Sequence, residues 1–260
     1  EVTDTPSRKD IIDHGLKEGD FRLYTPELVT PNRLIFLNGQ VEVSMAAETV
    51  FYESTVHPAM FAHKNPQTVA ILAGPVGLGS GLIREILKHD TITSLTAWHT
   101  NAQLVEEIVP THLSALDDCQ FLVGRADQCS KDPLVSLKYY GEENFSDVIS
   151  STDDLFSQQQ QDLIFILDFE SILKTTTESS PLSFSQILQG LLVNGLTDEG
   201  ILLIPCGNAA AIHDPRPDLG EHARREQLFL ALEALPEVAT ILVYEEAHTG
   251  HLEPESYILV

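Results

Sequence analysis

Three short apolar runs constrain this chain more than anything else in it. Val69-Ala70-Ile71-Leu72-Ala73, Leu163-Ile164-Phe165-Ile166-Leu167 and Gly200-Ile201-Leu202-Leu203-Ile204 carry no polar residue and show no alternation. A strand with one face in water alternates apolar and polar side chains, so a short unbroken run marks a strand covered on both faces. Between and after these runs lie stretches with helical spacing, Leu82 to His89, Phe184 to Val193 and Glu221 to Leu235. Buried strands interleaved with helices predict an α/β fold, a doubly wound and mostly parallel sheet with helices on both faces. Ile92 to Trp98 and Leu134 to Tyr140 extend it, as does the weaker run Phe121-Leu122-Val123. Val238 to Tyr244 and Tyr257 to Val260 are expected to close it antiparallel, for seven strands in all.

The part before this layer reads differently. Residues 1–32 are polar, carry Pro6, Pro26 and Pro31, and are expected to form an arm. Arg33 to Leu37 and Val41 to Val43 flank Asn38-Gly39-Gln40, the pattern of a β-hairpin around an Asn-Gly turn. A linking helix follows from about Glu48 to His63 and stops at Asn65-Pro66, because the residue before a proline disfavours the helical region. The expected division is therefore an arm over 1–32, hairpin and linking helix over 33–64, and the α/β domain over 65–260. A further helix is expected from Ala102 to about Val109, with surface loops over Ser151–Asp162 and Leu173–Ser180.

Charge narrows the partners. With 39 Asp and Glu against 15 Lys and Arg, the formal net charge is -24. Such a surface repels a phosphate backbone, so nucleic acid is excluded as an expected partner, while a protein with a basic or mixed surface fits. Cys119, Cys129 and Cys206 cannot build a disulfide framework in a chain this long, and they form no CxxC pair. No stretch approaches the roughly 20 apolar residues of a transmembrane helix. The expectation is a soluble chain, cytoplasmic or in an organelle after loss of a targeting peptide. Residue 1 is Glu, consistent with processing or with a piece of a longer precursor.

In open α/β sheets ligands sit beyond the carboxyl ends of the strands, and a Gly-rich turn after the first strand lets backbone approach them. Ala73-Gly74-Pro75-Val76-Gly77-Leu78-Gly79-Ser80-Gly81 occupies that place. Its spacing is compatible with a dinucleotide, a nucleoside or no ligand. A Walker A loop is excluded because no Gly-Lys-Ser/Thr follows. Adenosine cofactors are usually fixed by an acid at the end of the second strand, which accepts from both ribose hydroxyls. Here that strand ends Thr96-Ala97-Trp98-His99-Thr100-Asn101, with no acid.

At this point the order of segments resembles the spermidine synthase family, aminopropyltransferases with a methyltransferase-type Rossmann fold. Leu37-Asn38-Gly39-Gln40-Val41-Glu42 looks like the family's Leu-Asp-Gly-x-x-Gln hairpin. Phe51-Tyr52-Glu53-Ser54-Thr55-Val56-His57-Pro58 looks like its Tyr-His/Gln-Glu-Met-x-x-His segment. Leu82-Ile83-Arg84-Glu85-Ile86-Leu87-Lys88-His89 looks like its Leu-Arg-Glu-x-x-Lys-His helix, the most specific match. Gly141-Glu142 resembles the Gly-Asp before the adenine pocket, and Thr197 to Leu202 the Leu-x-x-Gly-Gly-Ile-Leu entry.

The departures fall on the chemistry. The family handles cations, a sulfonium nucleoside and a diamine that must lose a proton, so acids and tyrosines line its site. In this chain the hairpin Asp is Asn38, its Gln is Glu42 and the tyrosine is Phe51. The glycine loop is longer, contains Pro75 and lacks the family's acid, His99 and Asn101 replace the ribose pair, and the second acid after Leu167 becomes Ser171. What the resemblance leaves is Asp168 as catalytic candidate, Gly74, Gly77, Gly79, His99 and Glu142 for the nucleoside, and Glu53 and Glu42 for the amine.

Two readings follow. The preferred one is a non-catalytic spermidine synthase-like protein acting as scaffold or subunit of a larger assembly, with no certain cofactor. The alternative is an active aminopropyltransferase using decarboxylated S-adenosylmethionine; the absent ribose acid counts equally against a methyltransferase using S-adenosylmethionine itself. A homodimer through the hairpins is implied by the resemblance only. Outside the site, Arg84-Glu85 is expected as a surface or helix-flank pair, and His57 and His63 as satisfied or solvent-facing histidines. No metal site is expected: His248 and His251 beside Glu245 and Glu246 lack helical ligand spacing and read as a turn between two strands.

Overall fold

The computed structural model describes residues 2–4, 33–37, 40–44, 48–74, 80–99, 134–139, 156, 159–167, 184–209, 221–247 and 255–260. A three-stranded antiparallel sheet comes first in the chain. β1 (Val2–Asp4) pairs with β2 (Arg33–Leu37), which pairs with β3 (Gln40–Ser44). The hairpin stands where the Asn-Gly turn predicts it. The arm does not stay outside it: Val2 lies opposite Ile35 and Asp4 opposite Arg33, a pairing between distant segments that no local pattern encodes.

The second sheet has the order β6-β5-β4-β7-β8-β10-β9. Its strands are β4 (Thr68–Gly74), β5 (Ser94–His99), β6 (Val135–Tyr139), β7 (Gln161–Ile166), β8 (Leu196–Asn208), β9 (Leu242–Glu246) and β10 (Glu255–Leu259). The run from β6 to β8 is parallel, and β10 is antiparallel to both β8 and β9, as the terminal strand patterns predict. The last strand pattern, however, becomes strand only from Leu242. Phe121–Val123 and the helix expected over 102–109 lie outside the described residues.

Side-chain alternation explains why the central runs carry no polar residue. Val69, Ile71, Leu163, Phe165 and Leu203 point to one face, where α1 (Glu48–Ala62) and α2 (Ser80–Leu87) cover them with Val56, Met60, Leu82 and Ile86. Ala70, Leu72, Ile164, Ile166, Leu202 and Ile204 point to the other. There α3 (Phe184–Gly190), its π-helical continuation Leu191–Gly195 and α4 (Glu221–Glu233) supply Leu188, Leu191, Leu228 and Leu232. Both faces are dry, so both sets of alternating positions must be apolar.

The order reverses at β4: the chain adds β5 and β6 on one side and β7 and β8 on the other. This switch point opens a crevice beyond the carboxyl ends of β4 and β7. The two ends are tied by Leu167 N–H donating to Leu72 C=O at 3.0 Å. At their amino ends Asp162 does the tying. It accepts from the backbone N–H of Gln67 at 2.8 Å and of Thr68 at 3.0 Å, and from Thr68 Oγ1 at 3.2 Å. Burial would raise its pKa, but these hydrogen bonds outweigh it and hold the carboxyl below the ordinary range.

Candidate functional site

The crevice edge is built from the last residues of three strands. Gly74 ends β4, His99 ends β5, and Leu167 follows β7. His99 pairs in register with Gly74 on one side and Tyr139 on the other. Along β5 the inward positions are Leu95, Ala97 and His99, so the imidazole lies on the face covered by α1 and α2 and is 2% exposed. Trp98 points to the opposite face, with Lys138 Nζ 4.4 Å from its ring centroid. At the ribose-holding position of such a sheet there is thus a buried imidazole, which offers one donor and one acceptor when neutral. A carboxylate would offer paired charge-assisted acceptors.

The remaining candidates divide. Gly77, Gly79, Glu142 and Asp168 lie outside the described residues, as do Asn38, Asn101, Ser171, His248 and His251. Glu42 falls within the second strand of the hairpin, β3. Glu53 is on α1, exposed, with Lys88 Nζ 3.7 Å from its Oε1. It is gathered not with His99 but with His57 and Glu85, in the seam between α1 and α2.

That seam corrects one expectation. Arg84-Glu85 is not a surface pair: Glu85 is 0% exposed and Arg84 8%. The two helices approach so closely that a Cβ on Gly81 would lie 2.2 Å from Cε2 of Tyr52. The last glycine of the Gly-rich segment is thereby accounted for by packing. With the seam closed, the Glu85 carboxylate needs local partners and has three. Arg84 Nε donates to Oε1 at 2.9 Å, Lys88 Nζ reaches Oε2, and His57 Nε2 stands 3.4 Å from Oε2. Burial would raise the Glu85 pKa, but hydrogen bonds from His57, Lys88 and Arg84 outweigh it and hold it down at about 2.

His57 is satisfied, as expected, by Glu85 on one side and by His89 on the other, Nδ1 to Nε2 at 3.0 Å. The sequence reading placed no metal in the chain. Potential ligand atoms of Glu53, His57 and Glu85 nevertheless lie within 4.8 Å of one another. The Lys88 ammonium already bridges the two carboxylates, so their charge is balanced by the protein's own cation. The spacing from Glu53 to His57, one helical turn, was the available signal for this cluster; the partner helix was not readable beforehand.

On the far side of α1 two stacked tyrosines, Tyr244 and Tyr257, have ring centroids 4.8 Å apart and an interplanar angle of 10°. Tyr244 Oη donates to Ser54 C=O at 2.8 Å, and Tyr257 Oη pairs with Ser54 Oγ at 3.0 Å. The closing strands therefore hold the helix that carries Glu53.

No protein-family model matches the chain. A polyamine aminopropyltransferase of Hydrogenobaculum sp. (strain Y04AAS1) is 30% identical over 124 residues, which is 46% of this chain and 41% of that protein. One from Bacillus subtilis (strain 168) is 34% identical over 88 residues, 33% of this chain and 31% of its own. These matches thus span less than half of the relatives' length. Among solved structures, the spermidine synthase from Thermotoga maritima superposes with a TM-score of 0.59 at 20% identity, covering 91% of this chain and 66% of that one. A spermidine synthase in complex with the transition-state analogue AdoDATO gives a TM-score of 0.60 at 21% identity, with the same coverage. At such identities the superpositions establish the fold.

Proposed function

Because the chain belongs to the spermidine synthase family, we propose that it keeps the family's frame without its chemistry, and serves as a scaffold or subunit in a larger protein assembly. The observation that carries this reading is His99. At the end of β5, where the family holds the ribose with an acid, this chain buries an imidazole. A hydrogen bond to a charged group is worth on the order of 1.5–3 kcal/mol. Its loss weakens binding roughly 10- to 150-fold for each bond. Glu53, the amine candidate, is engaged by Lys88 in the α1–α2 seam, which supports the same reading. The acidic surface, at a formal net charge of -24, favours a partner with a basic or mixed surface. Two chains pairing through the hairpin strands, as the resemblance implies, belong to the same proposal.

The second reading, an active aminopropyltransferase, is favoured by one feature. β7 leads directly into Asp168 beside the end of β4, at the switch point. In that reading decarboxylated S-adenosylmethionine is the cofactor, and Glu53, Glu42 and Glu142 hold amines. The substrate nitrogen attacks the aminopropyl carbon, a C–N bond forms as the C–S bond breaks, methylthioadenosine leaves as a neutral thioether, and Asp168 takes the nitrogen's proton. Calorimetry with methylthioadenosine and a transfer assay with putrescine separate the two readings. Absence of heat and of transfer is expected; product above the uncatalysed background overturns the scaffold reading. His99→Asp is expected to strengthen nucleoside binding by about 10- to 150-fold.

A further inference from the structure

The geometry points to an acid-released latch between α1 and α2, formed by His57 and His89 and distinct from the nucleoside crevice. His57 Nδ1 and His89 Nε2 stand 3.0 Å apart with ring centroids at 5.2 Å. A contact of that length holds one hydrogen, on one nitrogen or the other. The opposite nitrogen of His57, Nε2, faces the Glu85 carboxylate at 3.4 Å. An ionised carboxylate only accepts, so Nε2 carries its hydrogen. The chain Glu85, His57, His89 is therefore compatible with a neutral pair or with one imidazolium. A second proton would set N–H against N–H at 3.0 Å, and the contact must open.

The surroundings decide where that happens. From α2 and the turn after it come Arg84, Glu85, Lys88 and Asp90; from α1 comes Glu53. β8, also packed on α1, sends Glu199 to Lys64 instead. Burial, then the nearby His57 charge, lowers the His89 pKa below the ordinary histidine value, against the pull of Glu85 and Asp90. A group with a depressed folded pKa binds its proton more readily once the structure opens. The latch is therefore fully closed above the ordinary histidine range and is lost as pH falls through the His89 value. Phe61, 77% exposed, rests its ring against both imidazoles, at 5.8 Å from His57 and 5.3 Å from His89. Opening would free it along with the end of α1.

The test is a ring-nitrogen NMR titration of the whole chain, with amide hydrogen exchange in α1 and α2, from neutral to mildly acidic pH. The pair is expected to take up its protons in separated, coupled steps, the later one on His89. Exchange in α1 and α2, corrected for its intrinsic rate, is expected to rise by up to about tenfold per pH unit across that step while β4 and β7 stay protected. In His89→Gln the amide keeps a hydrogen bond to His57 without titrating, so the rise should disappear. His57→Gln, which removes the other partner, should likewise give pH-independent exchange. Independent titration of the two rings, no rise in exchange, or a rise that persists in either variant overturns the proposal.

Discussion

Pro58 lies inside α1 and has no N–H, so the carbonyl four residues back, Ser54 C=O, loses its helical donor. The hydroxyl of Tyr244 replaces it at 2.8 Å, from a residue 190 positions away in sequence. Burial, and after it Tyr257 and Cys206, pushes the Tyr244 hydroxyl well above the ordinary tyrosine range, so it remains a neutral donor at any working pH. Tyr244→Phe keeps the ring and its stacking and removes only this hydrogen, leaving the carbonyl without its replacement donor. The expected cost is about 1–3 kcal/mol. In a Pro58→Ala background the restored N–H serves Ser54 C=O, and Tyr244→Phe should then cost no more than about 1 kcal/mol. The double-mutant cycle is accordingly expected to show a coupling of about 1–2 kcal/mol. Urea denaturation of the four proteins, read at a common m-value, measures it. Equal costs of Tyr244→Phe in the two backgrounds, within about 0.5 kcal/mol, would refute the exchange of donors.

Other consequences are as direct. Gly81→Ala places a methyl against the Tyr52 ring and should destabilise by about 1–3 kcal/mol in thermal melts, a loss that Tyr52→Leu should partly relieve. Glu85→Gln strips a buried carboxylate from Arg84 and Lys88; because Lys88 can turn into solvent, the loss should fall near the lower end of about 3–5 kcal/mol by denaturant titration. The pH signature of Glu85 follows from its depressed pKa: its contribution is complete above the ordinary value of 4.5 and is lost as pH falls towards about 2, and acid unfolding of Glu85→Gln should lack it. Asp162→Asn should cost about 1–3 kcal/mol and speed amide exchange at Gln67 and Thr68, whose N–H groups the carboxylate holds.

The places where reading the chain alone fell short share one cause. Arg84-Glu85 looks like any charged pair on a helix, and only the approach of Tyr52 to Gly81 encloses it. Val2–Asp4 carries no mark of its pairing with β2, and Asp162 no mark that it clasps the start of β4. His99 was legible because its role depends on its place at a strand end, which the apolar pattern locates.

Local order was written in the residues themselves. Unbroken runs such as Val69–Leu72 and Leu163–Ile166 announce strands hidden on both sides, since the exclusion of water leaves no position for a polar side chain. Which groups meet across the packed layers was settled only when the helices closed on the sheet. Glu53, His57, Glu85, Lys88 and His89 are ordinary surface letters until α1 lies against α2 and removes the water that would have separated their charges.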